Sequence, residues 1–494
     1  MQIIDNTNIE QTGWTRADKL LLAVIGGVIF LDGLDLSLVQ VALPSMGSEL
    51  HLPAAQLQWI VSAFVLGYGG FLLLGGRTAD VLGRRRMLVW GLLALIVASA
   101  LGAVAGDGTV LIVARFVKGV SAAFTAPAAL SILTTSFGEG HRRNKALGAY
   151  AAAAASGFTF GLVAGGLLTQ ISWRLTFAVV VPVALVLLLA AVRVVRPDAV
   201  PARGERRRLD FGGALSVTAA FLAFVWSIVE APTAGWASAR TVGGFTVAAA
   251  FLVLFVAIER TVEQPLLRLG ILRSALLVRA NVGAMLLFGY ATAFNVLNTL
   301  YLQDVLGWGP LETGLVFMIS SLTTAFVGPR AGALATRIGA APTLFLGTFA
   351  TVASSLVFLD IGVTADYKVI VASRLLNGLG FALAYPALNI QALTGVRNDE
   401  QGLASGLVGS SFQIGGAIVL AITTAALLAH TPTHPTHAQA VHGFRTGTYV
   451  TLATGTLLLL LAFLGALAER RRAHGRAESA GREAGRKHIL DCAA

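Results

Sequence analysis

Two aspartates, Asp32 and Asp35, stand three residues apart inside an otherwise apolar run. On a helix that spacing puts both on one face. An ionised carboxylate at mid-membrane costs roughly 2.5–3.5 kcal/mol on insertion scales. A pair of them there points to chemistry rather than packing, and the chemistry open to them is proton binding beside a central cavity. If both face that cavity they titrate as a coupled pair. The bland alternative for Asp32 is a wetted or capped helix end. Arg115, near the start of a later apolar run, is the matching counter-charge, unless its long side chain snorkels to the interface. Arg374 stands near the start of a similar run with no matching acid.

Other polar groups interrupt the apolar runs. Asn295, Asn298, Tyr301 and Gln303, with Arg374, Asn377, Asn389 and Gln413 later, are candidates to line a substrate cavity. Polar side chains in spans more often bond between helices. Gly157, Gly161 and Gly165 recur every four residues and, with Gly166, make a flat face for close helix packing or for a pivot against a facing segment. Trp59 and Trp173 fit lipid-facing or interfacial positions. His430, His434, His437 and His442 crowd one stretch, but Pro432 and Pro435 prevent a helix that would align them, so no metal site is expected. No GxxxxGK[ST] phosphate loop occurs, which excludes ATP hydrolysis, and neither HExxH nor GxSxG is present to make a membrane enzyme. Nothing in the chain requires a cofactor.

The elements that hold these residues follow from composition. Of 494 residues, 56% are hydrophobic and 12% charged, whereas soluble domains carry about 25% charge. Such a chain cannot coat a soluble surface. The net charge of +11 lies in short segments between apolar runs, so it reads as a topology signal and not as a nucleic-acid surface. The single cysteine, Cys492, permits no intrachain disulfide. Spans of about 20 residues can be placed fourteen times between residues 20 and 468. Clusters at Arg16/Lys19, Arg84–Arg86, Arg142/Arg143/Lys145, Arg203–Arg208, Arg260–Arg279 and Arg470–Lys487 alternate with poorly charged loops. The basic side is expected to be cytoplasmic, with both termini there.

An internal repeat organises the spans. Arg115, Gly119 and Pro127 recur as Arg374, Gly378 and Pro386, each 259 residues on, and Gly157 recurs as Gly415, 258 on. This links span 4 to span 12, an even shift that keeps orientation, so the repeat is parallel and two spans must be inserted between six-span halves. The expected layout is an all-α integral membrane protein with fourteen transmembrane helices. It comprises an N-terminal segment (1–19), a six-helix half (20–195), a basic linker (196–210), two inserted helices (211–260), a second half (275–468) and a basic, disordered tail (469–494).

The motifs resemble the major facilitator superfamily, specifically its fourteen-span drug:proton antiporters. Residues 34–44, LDLSLVQVALP, resemble that family's LDxTIVNVALP. Residues 76–86, GRTADVLGRRR, resemble its GxLADRxGRR loop, and Arg115 with Gly119 its RxxQG motif, with Lys118 in place of Gln. Gly157, Gly161, Gly165 and Gly166 resemble the antiporter motif GxxxGPxxGG, with Leu162 where the proline stands. The resemblance implies a major facilitator fold in the bacterial cytoplasmic membrane, exporting drug-like or antibiotic amphipathic molecules in exchange for protons, functional as a monomer in the lipid bilayer. It also implies that Arg115 works with the span 1 carboxylate. A conformational latch at Gly76, Asp80, Gly83, Arg84 and Arg85 is implied as well, with Asp80 and Arg84 its charged members. Proton-coupled uptake on the same fold is the alternative, and a polytopic membrane enzyme a more distant one.

Overall fold

The computed structural model describes residues 14–137, 141–197, 210–262, 269–364, 366–394, 396, 401–431 and 436–492. Among these every regular element is helical: α1 (Arg16–Glu49), α2 (Ala54–Leu82), α3 (Arg84–Ala103), α4 (Gly108–Ser136), α5 (His141–Ile171), α6 (Leu175–Ala178), α7 (Val180–Val194), α8 (Phe211–Ala234), α9 (Ala239–Thr261), α10 (Ala275–Leu300), α11 (Pro310–Ile338), α12 (Ala340–Phe358), α13 (Tyr367–Leu393), α14 (Gln401–Ala429) and α15 (His437–Cys492). With α6 and α7 taken as one span, fourteen are long and apolar enough to cross a membrane. The break at Val179 has a local cause, because Pro182 lacks an amide donor and its ring crowds the carbonyl of residue 178. Several helix starts are capped by side chains, as at Asp107, which accepts from the amides of Thr109 and Val110, and Asp366, which accepts from Lys368 and Val369.

The internal repeat is visible in the packing. α1 lies on α5 and α10 on α14, while α2 lies on α4 and α11 on α13. Asp107 and Asp366 cap equivalent helices, and Pro127 and Pro386 sit inside them. Gly83 (φ +106°) and Gly339 (φ +96°) make the same sharp turn between consecutive helices, a left-handed conformation that glycine adopts without strain. The backbone of α15 continues to Cys492, where a tail without structure was expected from residue 469. The stretch is rich in Ala, Arg and Glu, all strong helix formers, and propensity continues the span.

The halves meet along two seams. On the face of the bundle away from the chain termini, α5 meets α11 where a Cβ on Gly166 would lie 2.6 Å from Leu311 Cα. Nearby, Gln303 of the short π-helical turn Tyr301–Val305 donates to the Val41 carbonyl of α1. The second seam joins α2 to α14, with Gly69 against Gln413. The α8–α9 pair lies over this second seam. Phe221 and Leu222 of α8 press on Gly69 and Gly70, and the Thr218 hydroxyl donates to the Gly70 carbonyl.

Candidate functional site

Close backbone approach of α2 and α4 sets up the first cluster. A Cβ on Gly119 would fall 2.1 Å from the Phe64 carbonyl oxygen, so glycine is required there. Arg115 and Lys118, three apart on α4, both point at α1. Arg115 Nη1 donates to Asp35 Oδ2 at 2.9 Å and its Nε to the Ile60 carbonyl at 3.2 Å. Lys118 Nζ donates to Asp35 Oδ1. All three side chains are buried, with Arg115 over the Phe64 ring and Lys118 over Phe177. Both oxygens of Asp35 are thus held, and the ionised triad carries one net positive charge. Lys118 is the residue that sequence reasoning passed over, reading it only as a departure from a motif. The signal was available, since a lysine three residues from an intramembrane arginine shares its face.

Asp32, one helical turn away, is placed differently. Its Oδ2 is buried and has no hydrogen-bond partner among the described residues. Asp35 and the phenols of Tyr68 on α2 and Tyr150 on α5 interact with it electrostatically, and both phenols also interact with Tyr385 of α13. Tyr385 stacks between Phe381 (centroids 5.4 Å) and Phe412 (5.2 Å). No sequence spacing announces these tyrosines, because they come from three helices far apart in the chain.

The second half repeats the cation without the acid. Arg374 is fully buried between the Phe294 and Phe317 rings, and its Nη1 donates to Asn295 Oδ1 at 3.0 Å. Its Nε and Nη2 have no partner among the described residues. An amide therefore partners the arginine in this half, where Asp35 partners Arg115 in the first. Of the other cavity candidates, Asn298 and Asn389 bond back to their own helices and Tyr301 and Asn377 to other elements of the second half. Asn298 donates to the Phe294 carbonyl, Tyr301 to Gly362 at 2.7 Å, and Asn389 to Tyr385. Asn377 reaches the Tyr290 hydroxyl at 3.5 Å, and Gln413 packs in the α2–α14 seam.

Of the residues grouped at 76–86, Gly76 and Asp80 lie within α2, and Gly83 alone makes a bend. The Asp80 side chain falls outside the described ones. Arg85 donates to the Val192 carbonyl in the last turn of α7, where cations are favoured. On α5, Gly157 and Gly161 face α1, their Cβ positions 2.0 Å from the Phe30 carbonyl oxygen and 2.1 Å from Ser37 Oγ. Gly165 lies against Leu38 of α1, whereas Gly166 faces α11 of the other half. Trp173 is buried and donates to Glu49 at 2.7 Å, not facing lipid. His434 lies outside the described residues, and His430 and His442 meet ring to ring. Among the described residues no group of three metal ligands forms.

Comparison with known proteins gives a consistent picture. The family model described as Major Facilitator Superfamily matches residues 25–418, and again 280–492. The puromycin resistance protein pur8 of Streptomyces alboniger is 34% identical over 457 residues, covering 89% of each chain. The cephamycin export protein CmcT of Amycolatopsis lactamdurans is 32% identical over 400 residues, 80% of this chain and 82% of its own. Among solved structures, the POT family transporter PepTSo superposes with a TM-score of 0.67 at 16% identity, over 93% of this chain and 99% of that one.

Proposed function

Because the chain belongs to the major facilitator superfamily and is a multi-pass membrane transporter, we propose that it exports drug-like or antibiotic molecules across the cytoplasmic membrane in exchange for protons, by alternating access. The observation that carries this reading is the pair of acids on α1. Asp35 is held at both oxygens by Arg115 and Lys118, while Asp32 keeps an unpartnered buried oxygen. A fixed charge cluster beside an open carboxylate suits a protein that must load and unload a proton, and Asp32 is the group we assign to carry it. One proton moving down about 100 mV supplies roughly 2.3 kcal/mol, enough for a gradient of about fiftyfold at 1.4 kcal/mol per decade.

The resistance and export names of the relatives favour efflux. Basic clusters favour a cytoplasmic position for the face that carries both termini. The seam at Gly166–Leu311 then closes the opposite side, and α4 and α5 lack broad contact with α13 or α14 among the described residues, which supports a cavity facing the cytoplasm. The turn at Gly83, with Asp80, Arg84 and Arg85 near it, would latch the alternate state. The same reading has it working as a monomer. Uptake is the second reading, favoured by Leu162 where exporters of this kind carry proline.

Inside-out vesicles energised with a proton gradient and a pH-quenched dye test the proposal. Compound-dependent proton release is expected in the wild type and lost in Asp32→Asn. Release that survives unchanged in Asp32→Asn would move the proton to another group, and flux running only inward in whole cells would replace export by uptake.

A further inference from the structure

The internal repeat gives Arg374 the place that Arg115 holds in the first half, but the two cations are surrounded differently. Asn295 stands 260 residues after Asp35, and Asn377 stands 259 after Lys118. The acid and the lysine of the first cluster are thus both amides in the second. Arg115 has a carboxylate on it, whereas no carboxylate among the described residues pairs with Arg374. The Arg374 side chain is nonetheless fully buried, its Cζ 4.5 Å from the centre of the Phe317 ring and 5.1 Å from that of Phe294. Nη1 is taken by Asn295 Oδ1 at 3.0 Å. Nε and Nη2 are buried and have no partner among the described residues. Leaving charged donors unpaired inside a protein is costly, and packing alone does not call for it.

Those two nitrogens are not an arbitrary pair. Nε and Nη2 form one edge of the planar guanidinium, with parallel N–H bonds that match the two oxygens of a carboxylate. Nη1 lies off that edge, so the bond to Asn295 leaves it clear. The two ring faces attract the cation but leave its in-plane donors unmet. The backbone that carries the edge is held, because Ser320 of α11 donates to the Arg374 carbonyl at 2.7 Å. Phe317 belongs to the same buried cluster as Val41 of α1 and Leu162 of α5. Gly314, one turn before it, has its Cβ position 2.3 Å from the Leu162 carbonyl oxygen. The guanidinium therefore lies beside the α5–α11 seam between the halves. A neutral group there would leave its charge uncompensated, and a cation would be repelled. We infer that Arg374, oriented by Asn295, is the binding site for the carboxylate of an organic anion, held bidentate on Nε and Nη2 with Phe294 and Phe317 beside the apolar part. Phe317 covers the guanidinium in this structure, so the carboxylate enters as α11 parts from α5. The assignment deepens the transporter reading by naming a class of cargo, and rests on it.

The test uses two ligands of one shape, naphthoate and its neutral amide naphthamide, titrated calorimetrically into the purified full-length protein at one pH with no gradient. Wild type is expected to bind naphthoate at least about tenfold more tightly than naphthamide, the scale of one buried charge-paired bond. Arg374→Gln should abolish that preference. Arg374→Lys keeps the charge without the planar fork and should lose most of it. Asn295→Asp, which sets an internal acid against the cation, should abolish it as well. Equal binding of the two ligands by wild type would overturn the inference, as would an unchanged preference in a monodisperse Arg374→Gln. If that variant does not fold, an unchanged preference in Asn295→Asp overturns it instead. Chloride is the competing probe: a preference that survives equimolar chloride supports a carboxylate site, and one abolished by it assigns the edge to a small inorganic anion and overturns the inference. Binding needs no proton gradient, so loss of coupled proton release would refute the exporter reading while leaving this result intact. Absence of the naphthoate preference with proton release preserved would do the reverse.

Discussion

A carboxylate clamped between two cations and one with a free oxygen respond differently to the same substitution. Asp35→Asn leaves Arg115 and Lys118 buried without their counter-charge, and removing one partner of a buried ion pair costs about 3–5 kcal/mol. Thermal unfolding in detergent should show that loss, and adding Lys118→Gln to the same variant should recover part of it. Lys118→Gln alone should be mild, since the Asp35–Arg115 bond at 2.9 Å remains. In the second half, Asn295→Asp would give Arg374 the acid it lacks. The amide already accepts one bond from this cation, so the gain is the added attraction of a charge-paired bond, and this variant should unfold at a higher temperature than wild type. The acids and Arg115 were legible in the sequence because charge inside an apolar run is rare. Lys118 was visible but read as a variant of a motif. The coupling of Asp32 to Tyr68 and Tyr150 was not legible, because no spacing along the chain relates α1 to α2 and α5.

At the scale of helices, glycine sets which pairs can touch. A Cβ on Gly157 would strike the Phe30 carbonyl oxygen at 2.0 Å and one on Gly415 the Met285 carbonyl oxygen at 1.9 Å, both backbone atoms that cannot step aside. Gly157→Ala and Gly415→Ala should each destabilise the fold by about 1–3 kcal/mol, the usual cost of overpacking. Gly243→Ala is the control, because nothing lies within 4 Å of its Cβ position. It should be neutral or stabilising by up to about 1 kcal/mol through helix propensity. A thermal melt of the three variants separates these outcomes. The glycine spacing announced a flat face on α5, but not that Gly157, Gly161 and Gly165 serve α1 while Gly166 alone turns to the other half. Spacing along one helix carries no information about its neighbours. The spans themselves were legible from hydropathy, whereas the break at Val179 depends on a proline whose clash shows only in three dimensions.

For the molecule as a whole, the parallel repeat makes two similar bodies that meet at the α5–α11 and α2–α14 seams. A wedge in the first seam should favour the state closed at the other. Gly166→Leu would collide with Leu311 Cα and the Pro310 carbonyl oxygen. With Cys492 replaced by serine and a reporter cysteine at Leu300, thiol labelling from the face away from the termini should become several-fold faster. An unchanged labelling rate would show that this seam does not govern access. The α8–α9 pair would take part in the proposed motion. α8 touches α2 of one half and α14 of the other, and α9 lies on α8 with Gly243 in open space. A fluorophore carried at residue 243 would ride on a lever fixed to both bodies. Single-molecule recordings could then follow each turnover from the lipid side, with nothing attached inside the site where the cargo sits.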